Sequence, residues 1–279
     1  MRLSPTTLIL IAITPFFFSQ NANGHSISTI SNPLLIDTVK KLVWSDEFDI
    51  PGLPNKSKWA YDIGTGNNGW GNNELEYYTN DSLSNAKVSG GYLILTALHQ
   101  KLGGRQYTSA RLVTRGKASW TYGRIVVRAK IPKGVGIWPA IWMLGNNIDN
   151  KAIGWPLCGE IDIMEHTGTR PGKVQVSVHT KSNNWILGTQ KTASIDIPDY
   201  GDAFHNYQLD WDKNKMTISI DGKDLLTFNN DSKGKPSWPF DDPIYLLLNI
   251  AVGGNYSGFT IDEKALPAQM VIDFVRVYQ

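Results

Sequence analysis

Across residues 41–279 apolar side chains recur at every second position, and the three- and four-residue spacing of a helix is nearly absent. An extended chain points successive side chains to opposite faces, so this spacing builds half-buried strands. In Lys173-Val174-Gln175-Val176-Ser177-Val178-His179 the valines take one face and the polar residues the other. Met216, Ile218 and Ile220 alternate likewise and run into Asp221-Gly222, a pair suited to a tight hairpin turn. Pro243 to Val252 is apolar on both faces, as a strand in the middle of a sandwich is. Gly, Pro, Asn and Asp punctuate the intervals. The expected fold class is all-β: two sheets packed face to face around one large core.

The first residues follow another pattern. Arg2 precedes an apolar run from Leu8 to Phe18, and Ala22-Asn23-Gly24 sets small residues where a signal peptidase reads them. The run is shorter than the roughly 18 residues a membrane-spanning helix needs. Residues 1–24 are expected to be a cleaved secretory signal, 25–40 a polar linker and 41–279 a single domain, so the protein is expected outside the cell or in a periplasm. The single cysteine, Cys158, excludes an intramolecular disulfide, so stability must come from packing. Lys and Arg total 27 against 25 Asp and Glu, without a basic run, which makes nucleic acid and anionic membranes poor partners. A monomer is expected. Ten tryptophans and eleven tyrosines exceed what a core needs and suit a long open binding surface.

Gly159-Glu160-Ile161-Asp162-Ile163-Met164-Glu165 carries the chemistry. On a regular strand Glu160, Asp162 and Met164 share a face and Glu165 points away. A helix would scatter the acids around its circumference. A bulge near Ile163-Met164 resets the alternation and returns Glu165 to the face of Glu160. Two carboxyl groups roughly 5–5.5 Å apart, one a nucleophile and one a proton donor, are what a retaining glycosidase requires. Asp162 between them is expected to separate their pKa values, leaving Glu160 ionised and Glu165 protonated. A solvated acidic face on an edge strand, or a metal site using His166, are the readings this one displaces.

Glu-Ile-Asp-Ile-Met-Glu resembles the signature of glycoside hydrolase family 16, in the laminarinase-like branch that keeps the extra methionine. Similar matches run through Trp44-Ser45-Asp46-Glu47-Phe48, Trp70-Gly71-Asn72-Asn73-Glu74-Leu75-Glu76-Tyr77-Tyr78, Trp138-Pro139-Ala140-Ile141-Trp142, Leu248-Asn249-Ile250-Ala251-Val252-Gly253-Gly254-Asn255 and Asp273-Phe274-Val275-Arg276-Val277-Tyr278. The resemblance implies a concanavalin A-like jelly roll with a concave cleft, with Glu160 as nucleophile, Asp162 its assistant and Glu165 the acid/base. It implies endo-hydrolysis of β-1,3-glucan or mixed-linkage β-1,3/1,4-glucan. Agar, porphyran or carrageenan as substrate, transglycosylation, and a glucan-binding protein without turnover are the alternatives, the last opposed by the intact glutamates.

Trp138 and Trp142 are four apart, so on a strand they share a face, either as core or as a flat floor for sugar rings. Trp155 is a weaker candidate of the same kind. By resemblance Asn72 and Arg111 bond sugars on the non-reducing side, although Asn72 also reads as a turn residue and Arg111 as a solvated strand position. His179 reads as exposed. No cofactor is expected for catalysis. Val271, Asp273, Val275 and Val277 alternate onto one face, and an aspartate there must be hydrogen-bonded or meet a cation. The resemblance implies a structural Ca²⁺ held by Asp273, Glu47 and Gly91.

Overall fold

The computed structural model describes residues 40–279. The expected signal segment 1–24 and all of the 25–40 linker but Lys40 lie outside the described residues. Among the described residues no helical segment exceeds five residues. The strands are β1 (Leu42–Asp46), β2 (Ala60–Asp62), β3 (Glu76–Tyr78), β4 (Ala86–Ser89), β5 (Tyr92–Leu102), β6 (Arg105–Ser109), β7 (Arg111–Val113), β8 (Gly123–Lys130), β9 (Ile137–Gly145), β10 (Glu160–His166), β11 (Lys173–His179), β12 (Lys191–Asp196), β13 (His205–Trp211), β14 (Lys215–Ile220), β15 (Lys223–Asn229), β16 (Ile244–Val252) and β17 (Ala268–Tyr278).

They form two sheets, as the alternation predicts. One runs β15-β14-β13-β8-β17-β5-β6-β3, with β1 beside β17 and β4 beside β5. The other runs β12-β11-β10-β9-β16-β7-β2. The jelly-roll sandwich is thus the observed fold. Asp221 and Gly222 adopt positive φ, 49° and 76°, in the β14–β15 turn.

β16 explains its own two-faced apolarity. Ile244, Leu246, Leu248, Ile250 and Val252 enter the main core, while Tyr245 and Leu247 join a second apolar cluster with Val113, Leu144 and Cys158 on the opposite face. β9 alternates in the same register, sending Ile137, Ile141 and Met143 inward. Its partners Trp138, Ala140, Trp142 and Leu144 line a cleft on the other face.

The bulge in β10 is present. Pairing with β9 shifts between Asp162 and Met164, and pairing with β11 between Asp162 and Glu165. Ile163 and Met164 are both fully buried in the core. The gain is burial of the methionine, worth about 1.5–3 kcal/mol. A straight strand would instead drive the Glu165 carboxylate into the core, at far greater cost.

The last strand departs from simple alternation in the same way. β17 shifts register between Ile272 and Phe274, so Met270, Ile272, Val275 and Val277 face the core together. Asp273 therefore does not share the apolar face of Val275 and Val277. It is half-buried on the outer side and paired with Arg128.

Candidate active site

β10 enters the site through Gly159, whose φ is 79°. A Cβ there would sit 2.6 Å from Pro239 and 2.8 Å from the Phe240 ring, so glycine fixes where the strand begins. Glu160, Asp162 and Glu165 then line one cleft of about 650 Å³.

Their surroundings withdraw water from all three. Asp162 is only 3 % exposed. Burial pushes the Glu160, Asp162 and Glu165 carboxyls up to about 8, and Asp162 repels both glutamates. The separation expected from Asp162 alone is thus not what the site builds, because desolvation acts on the three alike. Nearby His179 draws both glutamates down, and a hydrogen bond from Trp138 adds to this at Glu165. Trp138 Nε1 donates to Glu165 Oε1 at 3.1 Å.

His179 is the residue that sequence reasoning left out. It is 6 % exposed, with Nε2 3.2 Å from Asp162 Oδ2 and 3.9 Å from Glu160 Oε1. It pairs across the strands with Glu160, a position that alternation assigned correctly to the polar face. That face is the cleft and not solvent. Glu160, Asp162 and His179 also form a donor group within 4.8 Å, the only one of three or more His, Cys, Asp or Glu among the described residues. The histidine involved is not His166, which packs 4.4 Å from the Tyr200 ring.

Trp138, Trp142, Trp155, Asn72 and Arg111 all reach the same cleft. The two tryptophans of β9 are pinned and not simply stacked there: Trp142 Nε1 donates to Asn249 Oδ1 at 2.8 Å. Asn249 in turn donates to the Tyr78 hydroxyl at 3.0 Å, and Tyr78 donates to Glu74 Oε2 at 3.0 Å. Behind them Glu76, fully buried, accepts the Val252 N–H at 2.6 Å, and burial beside Glu74 pushes its carboxyl far above the usual range. Burial and the neighbouring Glu74 thus both favour its protonated form. Nothing in the alternation of this short segment distinguishes these glutamates from surface ones.

Arg111 is not a solvated position. It is 6 % exposed, its Nε donates to Asp62 Oδ2 at 2.9 Å, and its guanidinium lies 4.4 Å from the Trp70 ring and 4.8 Å from the Trp142 ring. Asn72 Nδ2 lies 3.4 Å from Glu74 Oε1 at the cleft edge.

The expected ion ligands sit on the other sheet. Pairing sets Asp46 opposite Val275 and Leu93 opposite Ile272, which brings Glu47, Gly91 and Asp273 to the junction of β1, β5 and β17. Glu47 accepts two bonds from Arg276, at 3.0 and 2.8 Å, while Asp273 is engaged by Arg128.

Residues 45–276 match the family described as glycosyl hydrolases family 16. The chain is 50% identical over 245 residues to a beta-glucanase of Rhodothermus marinus, covering 86% of this chain and 85% of that protein. The X-ray structure of the laminarinase from Rhodothermus marinus superposes with a TM-score of 0.83 at 48% identity, covering 86% of this chain and 97% of that one. A non-specific endo-β-1,3(4)-glucanase from the same family, presenting a 1,3-β-D-cellobiosyl-glucose at its active site, gives 0.82 at 43% identity, covering 87% and 95%.

Proposed function

This chain belongs to glycosyl hydrolases family 16, and on that footing we propose that it is a retaining endo-hydrolase of β-1,3-glucan or mixed-linkage β-1,3/1,4-glucan. One observation carries the mechanism: the β10 bulge gathers Glu160, Asp162 and Glu165 on a single cleft face. Glu160 attacks the anomeric carbon while Glu165 protonates the departing glycosidic oxygen. A glycosyl ester on Glu160 results. Glu165, now a carboxylate, takes a proton from water, which displaces Glu160 and restores the starting state. Three acids within one water-poor site do not all ionise together, so one can attack while another still holds its proton. Trp138 orients Glu165 through its N–H bond. His179 Nε2 lies 3.2 Å from Asp162 Oδ2 and braces that carboxyl beside the nucleophile.

Secretion belongs to the same reading, supported by the Leu8–Phe18 run and Ala22-Asn23-Gly24. So does action as a monomer. A structural Ca²⁺ fits the oxygen donors Glu47, Gly91 and Asp273 in kind, and it would compete there with Arg276 and Arg128. It would stiffen the sheet opposite the cleft and take no part in bond cleavage. Added Ca²⁺ should raise Tm and a chelator reverse it; indifference to both removes the ion from the account.

The test is reducing-sugar release from laminarin, mixed-linkage glucan, agarose and carrageenan by the mature protein and its Glu160→Gln variant. Release from the β-glucans, lost in the variant, is expected. Release only from agarose or carrageenan would overturn the substrate.

A further inference from the structure

The β11–β12 connection holds three consecutive large apolar side chains in water: Trp185, Ile186 and Leu187 are 49, 64 and 59 % exposed. No other run of three occurs among the described residues. Single exposed apolar residues need no explanation, but a contiguous group does.

The loop is built to present them. Asn184, 3 % exposed, donates its amide to the Thr180 and Lys181 carbonyls at 3.1 and 3.2 Å and accepts the Leu187 N–H at 3.2 Å. The Thr189 N–H returns to the Asn184 carbonyl at 3.0 Å, and Gly188 N–H to the Trp185 carbonyl at 3.0 Å. Ser182 N–H ties the loop to the Pro236 carbonyl at 2.8 Å. Backbone on both sides of Trp185 is thereby fixed before any ligand arrives, which lowers the ordering cost of binding.

Its direction is set as well. Trp185 and Ile186 line the cleft, whereas Leu187 does not. The Trp185 ring lies 6.2 Å from Trp155 with 35° between planes, and Trp155 lies 6.2 Å from His179 beside the acids. Sheet order puts β11 across β10 from β9, β16 and β7, so this wall stands at the opposite end of the cleft from Arg111. An indole face and a branched alkyl chain, neither charged, match the C–H face of a neutral pyranose.

We propose that Trp185, with Ile186, forms a sugar-stacking subsite for a further glucosyl unit of the bound chain, beyond the catalytic strand. The proposal rests on the β-glucan hydrolase reading. Only chains long enough to reach the loop gain from it.

The experiment compares wild type, Trp185→Ala, Ile186→Ser and Leu187→Ser on β-1,3-gluco-oligosaccharides of increasing length, with Tm and sedimentation measured for each. Trp185→Ala is expected to lower kcat/KM by about five- to tenfold on the longest chains and by less than about twofold on the shortest cleaved. Ile186→Ser should follow it more weakly, and Leu187→Ser should match wild type at every length. A loss independent of length, or none, overturns the subsite. So does a change confined to sedimentation, which would make the patch a contact between copies. A wild type that cleaves no β-glucan of any length would instead sink the hydrolase reading beneath it.

Discussion

Trp138 donates its indole N–H to Glu165 Oε1 at 3.1 Å, so a side chain of the cleft floor also sets the proton affinity of the acid/base. The bond favours the ionised carboxyl and works against the burial that raises it. Trp138→Phe keeps the ring and removes the donor. The alkaline limb of the kcat/KM profile should then move up by as much as about one pH unit, the worth of one such bond. An unmoved limb would assign that limb to another group.

Stability should depend on pH through the same cluster. Glu160, Asp162 and Glu165 rise from 4.5, 3.8 and 4.5 to about 8 in the folded protein. Between about pH 4 and pH 8 the folded chain holds protons that the unfolded chain has released, so unfolding free energy falls as pH rises. The contribution is full below about pH 4 and is lost towards pH 8. Glu160→Gln removes one of these sites, so its Tm should fall less steeply over that window and exceed wild type at pH 8. Parallel Tm curves for the two proteins would count against this assignment.

The chain from Trp142 through Asn249 and Tyr78 to Glu74 predicts an unequal pair of variants. Tyr78→Phe strands the Glu74 carboxylate and the Asn249 amide, at a cost of about 1–3 kcal/mol in urea unfolding. Glu76→Gln replaces the carboxyl, whose neutral form burial favours, with a neutral amide that still accepts the Val252 N–H, and should cost less. Equal losses would mean that Glu76 is ionised.

Met164 is the residue that makes the bulge necessary. Deleting it places Glu160, Asp162 and the present Glu165 on one face of a regular strand. The deletion should retain measurable activity while losing about 2 kcal/mol of stability from the missing core side chain. Inserting one alanine after Asp162 should abolish activity. If the deletion is inactive although folded, cleft geometry depends on the bulge itself.

How much of this could be read beforehand divides along a physical line. The β10 bulge was legible because only a break in the alternation returns Glu165 to the face of Glu160. The β17 bulge was not, since Val271-Ile272-Asp273-Phe274-Val275 permits either face until neighbouring strands choose. His179 was placed on the correct side of β11, but alternation cannot distinguish a polar face in water from one in a cleft. Arg111 reaches the cleft that the resemblance implies, but alternation alone left a solvated position open, because its burial comes from Trp70 and Asp62, far away in sequence.

The small apolar cluster of Val113, Leu144, Cys158, Tyr245 and Leu247 lies on the cleft side of the sheet that holds β9, β10 and β16, with Ile148, Ile153 and Trp155 packed against it. The connection between β9 and β10 is therefore a roof with its own foundation. Anyone transplanting that connection to retune specificity must carry its isoleucines and tryptophan along. A shorter graft would leave the roofless patch wet and sticky, and solubility would suffer before selectivity could be assayed.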